Sequence, residues 1–279
     1  MYKNISYLLI ALFIVNISYS QKKDKIKGSK IITLTIKELE NFETIEIRDN
    51  FEVTIVKSEK PSIEIEADDN LHDIVNYEVK GTTLAVSTLK EPIGFKKFLI
   101  RINYNDSLKL IVVRDAVEIK ALADLSLDNI TVKGYDASKI FLNVKSNYFA
   151  LQLDDKCEAE INVKADKTSV ELSKNSEIKA LVVSTEFKLD MYQKSSAVIE
   201  GTTSKAKIRL DNMSTLKAQK LVVNNLEIDC DNYSKCEINV GNSVAISAAG
   251  KSQIELYGEP KISIEKLTNN ATLYKKEKK

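Results

Sequence analysis

Between residues 107 and 258 apolar and polar side chains alternate, and the alternation restarts at a nearly fixed interval. Aligning on the small residue after each polar triplet gives Val117, Ser138, Cys157, Ser176, Ser195, Ser214, Ser234 and Ser252, spaced 21, 19, 19, 19, 19, 20 and 18 residues apart. Six positions before these anchors stand Ile111, Val132, Leu151, Val170, Leu189, Ile208, Ile228 and Ile246. Two positions after them stand Ile119, Ile140, Ala159, Ile178, Ala197, Leu216, Cys236 and Ile254. Polar residues such as Gln152, Glu171, Asp190, Arg209 and Asp229 fill the positions between apolar columns. Period two on both sides of the anchor predicts strands with one buried face. A helix needs apolar residues three and four apart, and helical repeats run to about 33 residues or more.

The residue two before each anchor is Asp115, Asp136, Asp155, Lys174, Gln193, Asn212, Asn232 or Gly250. Asp, Asn and Gly tolerate a left-handed backbone, so this column predicts a bend at the same point of every repeat. The anchor is small because it packs inside the bend, and its serine hydroxyl is available to backbone groups the bend exposes. No single coil buries its own apolar face. Stacking coils at ~4.8 Å buries a continuous core and predicts a parallel β-helix roughly 35–40 Å tall. Propeller blades need about 40 residues, and the hexapeptide rhythm of left-handed β-helices does not match this period.

The N-terminal part is less regular. Residues 42–56, 62–67 and 83–87 alternate as strands, 98–104 leads into the repeats, and 68–75 predicts a short helix capped by Asp68 or Asp69. A solenoid must close its ends against edge-to-edge pairing, so 31–106 is expected to form longer coils and a cap. The basic tail from Leu273 is expected to fray.

Composition adds a compartment and removes several functions. Lys3 followed by an apolar run of 11 residues, Tyr7–Ile17, and the small residues of Ser18–Ser20 reads as a secretory signal peptide over 1–20. The expected location is outside the cytoplasm: periplasm, outer surface or extracellular space, with no membrane insertion after cleavage. The chain has 41 basic and 40 acidic residues; without Lys3 the balance is 40 to 40, which excludes the basic excess that nucleic acid requires. Three cysteines, Cys157, Cys230 and Cys236, lack metal spacing, and His72 is the only histidine, so neither a zinc site nor any other cofactor is expected.

The stretch 42–87, with "NFEVTIV…IEIEADDNL…YEVKGTTLAVS", resembles the head domain of putative auto-transporter adhesins, the GIN domain. Its recurring "SGAS" corners have counterparts in "YDAS" (135–138), "DNMS" (211–214), "DNYS" (231–234) and "AGKS" (249–252), with Asp or Asn mostly replacing the corner glycine. The resemblance covers about 41–262, leaving 21–40 as a linker with a first strand and 263–279 as a basic tail. It implies a right-handed, single-stranded β-helix on an exported bacterial protein, with a role in adhesion or surface binding and without known catalytic residues.

Candidate chemistry is sparse. Asp154–Asp155, Asp211 and Asp231 are the carboxylates best placed for glycoside chemistry, and Asp211 and Asp231, in adjacent coils, are spaced to hold a cation or a sugar hydroxyl. His72 lies outside the repeats, away from the corner serines that a nucleophile–histidine pair would need. Cys230 and Cys236 fall on inward columns, either as buried thiols or as a disulfide across the bend, and Cys157 is a corner thiol. Tyr135, Tyr192 and Tyr233 lie at corners, where an exposed tyrosine is a common sugar or protein contact. The ligand-contact candidates are thus Tyr192, Tyr233, Asp211 and Asp231. The expected function is a non-enzymatic binding or adhesion module for a glycan or a surface protein. A polysaccharide-active enzyme and a structural envelope component are the alternatives, and oligomeric state is not readable.

Overall fold

The computed structural model describes residues 23–277. Apart from one 3-10 helix, Asp69–Ile74, its regular elements are strands. Parallel coils of about 19 residues stack into a β-solenoid of about 9 turns. The core of the stack is five long strands, Lys139–Leu153, Glu158–Leu172, Glu177–Met191, Ser196–Leu210 and Thr215–Cys230, each closed by a four-residue corner. Within a long strand the buried residues alternate, shift by one residue near the middle, and alternate again. The strand therefore wraps two sides of the coil.

The apolar columns are vertical stacks. Pairing registers join Leu84, Ile45, Ile111, Val132, Leu151, Val170, Leu189, Ile208, Ile228, Ile246 and Ile264 into one ladder. All of them are buried except Ile264. Each fully buried rung contributes roughly 1.5–3 kcal/mol of apolar transfer, and the ladder makes one continuous core.

The corner column adopts the conformation its residue types require. Asp115, Asp136, Asp155, Asn212 and Asn232 have φ between 52° and 61°, and Gly250 has φ 70°. Lys174 and Gln193 share it, with φ 57° and 52°. There the stacked neighbours impose a backbone that the side chain does not favour. Asp side chains also link successive corners: Asp136 accepts from the Asp115 N–H at 3.1 Å and Asp115 from the Asp49 N–H at 2.8 Å. The anchors are all buried. Ser138, Ser176 and Ser234 donate to the carbonyl three residues back, whereas the hydroxyls of Ser195, Ser214 and Ser252 have no partner. The expectation that the hydroxyl satisfies the bend thus holds at three of these six serines.

Coils of unequal length are reconciled by bulges. The extra residue of coil 215–230 is absorbed after Val198, where the register shifts. Gly201 makes this possible: its φ is 119°, and a Cβ there would lie 2.0 Å from the Val182 carbonyl oxygen.

The N-terminal coils do not stack in chain order. Strand Thr44–Ile47 lies between Thr83–Thr88 and Leu110–Val113, and Glu52–Lys57 lies between Phe98–Tyr104 and Glu118–Ala121. Ser62–Asp68 and then Ile32–Glu38 add antiparallel beyond Phe98–Tyr104. The predicted short helix is a 3-10 turn, and Asp68 does not cap it with its side chain. Instead the buried Asp68 carboxylate accepts from the backbone N–H groups of Lys30, Lys96 and Lys97 at 2.8–3.2 Å. Burial raises its pKa, but these donors together hold the carboxyl below its ordinary value.

The C-terminal segment corrects the expectation of a frayed tail. Lys261–Leu267 pairs with Lys235–Ala248, and Thr272–Lys275 pairs with Gln253–Tyr257. Asn269, with φ 59°, supplies the corner of this further coil. The signal-peptide segment lies outside the described residues. No helix among those described is long and apolar enough to cross a membrane.

Candidate functional site

The four residues singled out in the sequence sit at the tight corner. Asp211 and Asp231 are in adjacent coils, following the paired Leu210 and Cys230. Asp211 already accepts from the Asn212 N–H at 2.7 Å and from the Asn232 side-chain amide. Tyr192 lies half-buried under the Arg209 guanidinium, 5.7 Å from ring to charge, and desolvation, then the nearby Asp190, pushes its phenol up. Tyr233 is 58% exposed, with the Lys251 ammonium 5.4 Å from its ring centre. The corner therefore offers one open aromatic and two carboxylates in adjacent coils.

The other candidates are engaged elsewhere. Asp154 accepts from Ser173 and Lys174; although burial opposes it, these bonds hold the carboxyl below its ordinary value. A glycosidic general acid needs the opposite shift. His72 contacts the Thr33 hydroxyl at 2.9 Å, at the N-terminal end. Among the described residues no three His, Cys, Asp or Glu side chains cluster as metal ligands. All three cysteines are free and buried, so Cys230 and Cys236 are thiols. Desolvation raises Cys157 and Cys230 to about 11 and Cys236 well above its ordinary value.

The larger concavity lies on the strand face. An open cleft of about 1080 Å³ runs from Lys57 and Asp106 across Ser146 and Lys164 to Val183. A second depression of about 760 Å³ extends from Leu122 and Phe141 to Val198. A smaller one, lined by Asn143, Asn162, Leu181 and Val183 among others, bridges the two into a shallow trough. Its floor is built from outward columns. Asn143, Asn162, Leu181 and Glu200 form one, and Lys145, Lys164, Val183 and Thr202 another.

Most residues of these columns are polar, but Leu181 and Val183, with Val198 on the adjoining column of Phe141, Glu160 and Lys179, are 46%, 41% and 42% exposed. Beside them the Asn162 amide donates to Asn143 at 2.7 Å, and the Ser146 hydroxyl is buried without a partner. The charges nearly balance: Lys145 pairs with Asp124 and Lys179 with Glu160. The trough thus offers an apolar strip edged by amides and hydroxyls, without a strong field. None of Tyr192, Tyr233, Asp211 or Asp231 lines it. The sequence does carry its signal: Ala180–Val183 is an unbroken apolar run where alternation calls for polar residues at 181 and 183.

Comparison with known proteins agrees with this architecture. A putative adhesin from Parabacteroides distasonis is 19% identical with a TM-score of 0.68, covering 90% of this chain and all of its own. A putative adhesin from Parabacteroides merdae is 18% identical with a TM-score of 0.62, covering 92% and 100%. A protein from Parabacteroides distasonis described as a putative lipid binding protein is 14% identical with a TM-score of 0.68, again covering 92% and 100%. At these identities the likeness establishes the fold. No curated protein matches. The family model described as "Putative auto-transporter adhesin, head GIN domain" matches residues 41–260, and the chain belongs to that family.

Proposed function

We propose that this protein is an exported, non-enzymatic binding module that holds an extended glycan or surface protein in the trough on its strand face. The observation that carries this reading is the exposure of Leu181, Val183 and Val198 side by side on outward columns that are mostly polar. Contiguous exposed apolar surface with a polar rim marks interaction sites, and a long, regular solenoid face suits a ligand that repeats along it. Membership of an adhesin family and the lowered Asp154 carboxyl agree with binding rather than hydrolysis. Tyr233, with Asp231 beside Asp211 and Tyr192 one coil further on, forms a second, smaller contact at the corner.

The test is binding to arrayed glycans and immobilised matrix proteins, with products assayed in parallel. Leu181→Asp and Val183→Asp are expected to weaken binding at least tenfold, about 1.4 kcal/mol, while Tyr233→Ala has the smaller effect. Depolymerisation of acidic glycans, abolished by Asp211→Ala or Asp231→Ala, would instead establish an enzyme. Protease accessibility on intact cells separates surface from periplasm.

A further inference from the structure

The two ends of the solenoid are finished differently. At the N-terminal end the inward stack Ile140, Ile119, Val53, Ile100 and Ile65 terminates at Thr35. Its edge strand places Thr33 and Lys37 opposite Ala67 and Ile63. An inward-directed charge and hydroxyls on an edge strand discourage pairing with another chain, although the outward face of the same strand exposes Ile32, Leu34 and Ile36.

The C-terminal edge strand has no inward-directed charge, and its one bulge falls only after Ile264. Ile262 and Ile264 continue the stacks of Val244 and Ile246. They are 41% and 51% exposed, since no described strand lies beyond them. Alternate residues of a strand turn their N–H and C=O to opposite edges. In the column of Ser263, Thr131 N–H donates to the preceding coil at 2.9 Å. By register Ser263 does likewise, which leaves the N–H and C=O of Ile262 and Ile264 facing the open edge.

We infer that this end pairs with the same end of a second copy, strand Lys261–Leu267 lying antiparallel to itself about a two-fold axis through Ser263. That register sets Ile262 against the partner's Ile264, exchanging the free N–H and C=O groups of both, and buries the exposed isoleucines face to face. It also sets Lys261 against the partner's Glu265. Glu265 lies on the outward face, where it accepts from Ser263 at 2.8 Å. The strand is thus self-complementary in hydrogen bonding, apolar pattern and charge, as an isologous contact requires. Because a two-fold contact uses the same surface on both copies, it closes at a dimer. This inference is independent of the trough.

Sedimentation equilibrium of the protein at roughly 100 μM, ample for a micromolar Kd, is expected to give twice the monomer mass. Ile262→Lys, at a position already exposed, is expected to give monomer with unchanged circular dichroism. Lys261→Glu weakens the dimer several-fold, and adding Glu265→Lys restores it. Ser263→Cys supplies a direct geometric test. Residues opposite each other in a non-hydrogen-bonded antiparallel pair have Cα atoms about 4.5 Å apart, within disulfide reach. The native thiols are buried, so mild oxidation should yield a dimer linked through position 263. A monomeric wild type would overturn the inference, as would a dimer that neither cross-links through S263C nor responds to Ile262→Lys.

Discussion

A buried serine at a repeat corner has two possible energetic signs, and this solenoid contains both. Ser176 donates to the Ser173 carbonyl at 2.8 Å, while the Ser195 hydroxyl, one coil away in the same column, has no partner. Removing a satisfied hydroxyl costs about 1 kcal/mol even where, as here, the Ser173 carbonyl keeps the Ser176 N–H at 3.3 Å; removing an unsatisfied one relieves desolvation. Ser176→Ala is therefore expected to lower the thermal midpoint by about 2–4 °C, as 1 kcal/mol does in a domain of this size. Ser195→Ala should leave it unchanged or raise it, and a differential melt of the two variants decides the matter. Sequence alone does not separate them, because both read as the same small anchor. The left-handed column two positions earlier was legible from Asp, Asn and Gly. It also holds at Lys174 and Gln193, where only the spacing of the repeat pointed to it.

At the scale of elements, repeat spacing carried most of the information. Strand existence, the inward columns and their stacking follow from alternation plus period, and the ladder through Ile208, Ile228 and Ile246 follows from them. Three features did not follow. The crossed order of the N-terminal coils depends on strands far apart in the chain. The last coil was hidden because its anchor, Ala271, and its approach through Pro260 depart from the repeat. The trough depends on which outward positions tolerate apolar residues, a matter of surface rather than period.

The anchor spacings of 20 and 18 residues announced irregular coils without locating the bulge that Gly201 accommodates. Gly201→Ala would strain a positive φ and drive its Cβ into the Val182 carbonyl. Strain of this kind is on the order of 1–3 kcal/mol before any backbone shift. The expected result is a lowered thermal midpoint and faster amide exchange confined to the coils on either side of the bulge. Unchanged exchange there would show that the bulge has no need of glycine.

The molecule as a whole has one core, so groups buried far apart report on the same unfolding. Cys157 sits in the middle of the stack and Cys230 and Cys236 four coils further on, all free and buried. Desolvation raises Cys157 and Cys230 to about 11, and desolvation with the Asp106 charge raises Tyr104 to about 12. Unfolding returns each group to water, where a thiol loses its proton near pH 9 and a phenol near pH 10. Between those values and the raised ones the native state binds more protons than the unfolded state, so stability falls as pH rises. The stabilisation is full below about pH 9, declines through the thiol window to about pH 11, and declines with Tyr104 from about pH 10 to 12. Each fully buried group contributes a slope on the order of 1.4 kcal/mol per pH unit within its window. Thermal midpoints measured from pH 8 to 11 should therefore drop steeply above pH 9. The drop should be shallower in a variant carrying Cys157→Ala, Cys230→Ala and Cys236→Ala, compared with its own midpoint at pH 8. Thiol alkylation should follow the same curve, slow in the native protein and rapid once the coils open. Prompt alkylation at pH 8 would mean that the stack breathes locally around these thiols and does not protect them as one unit.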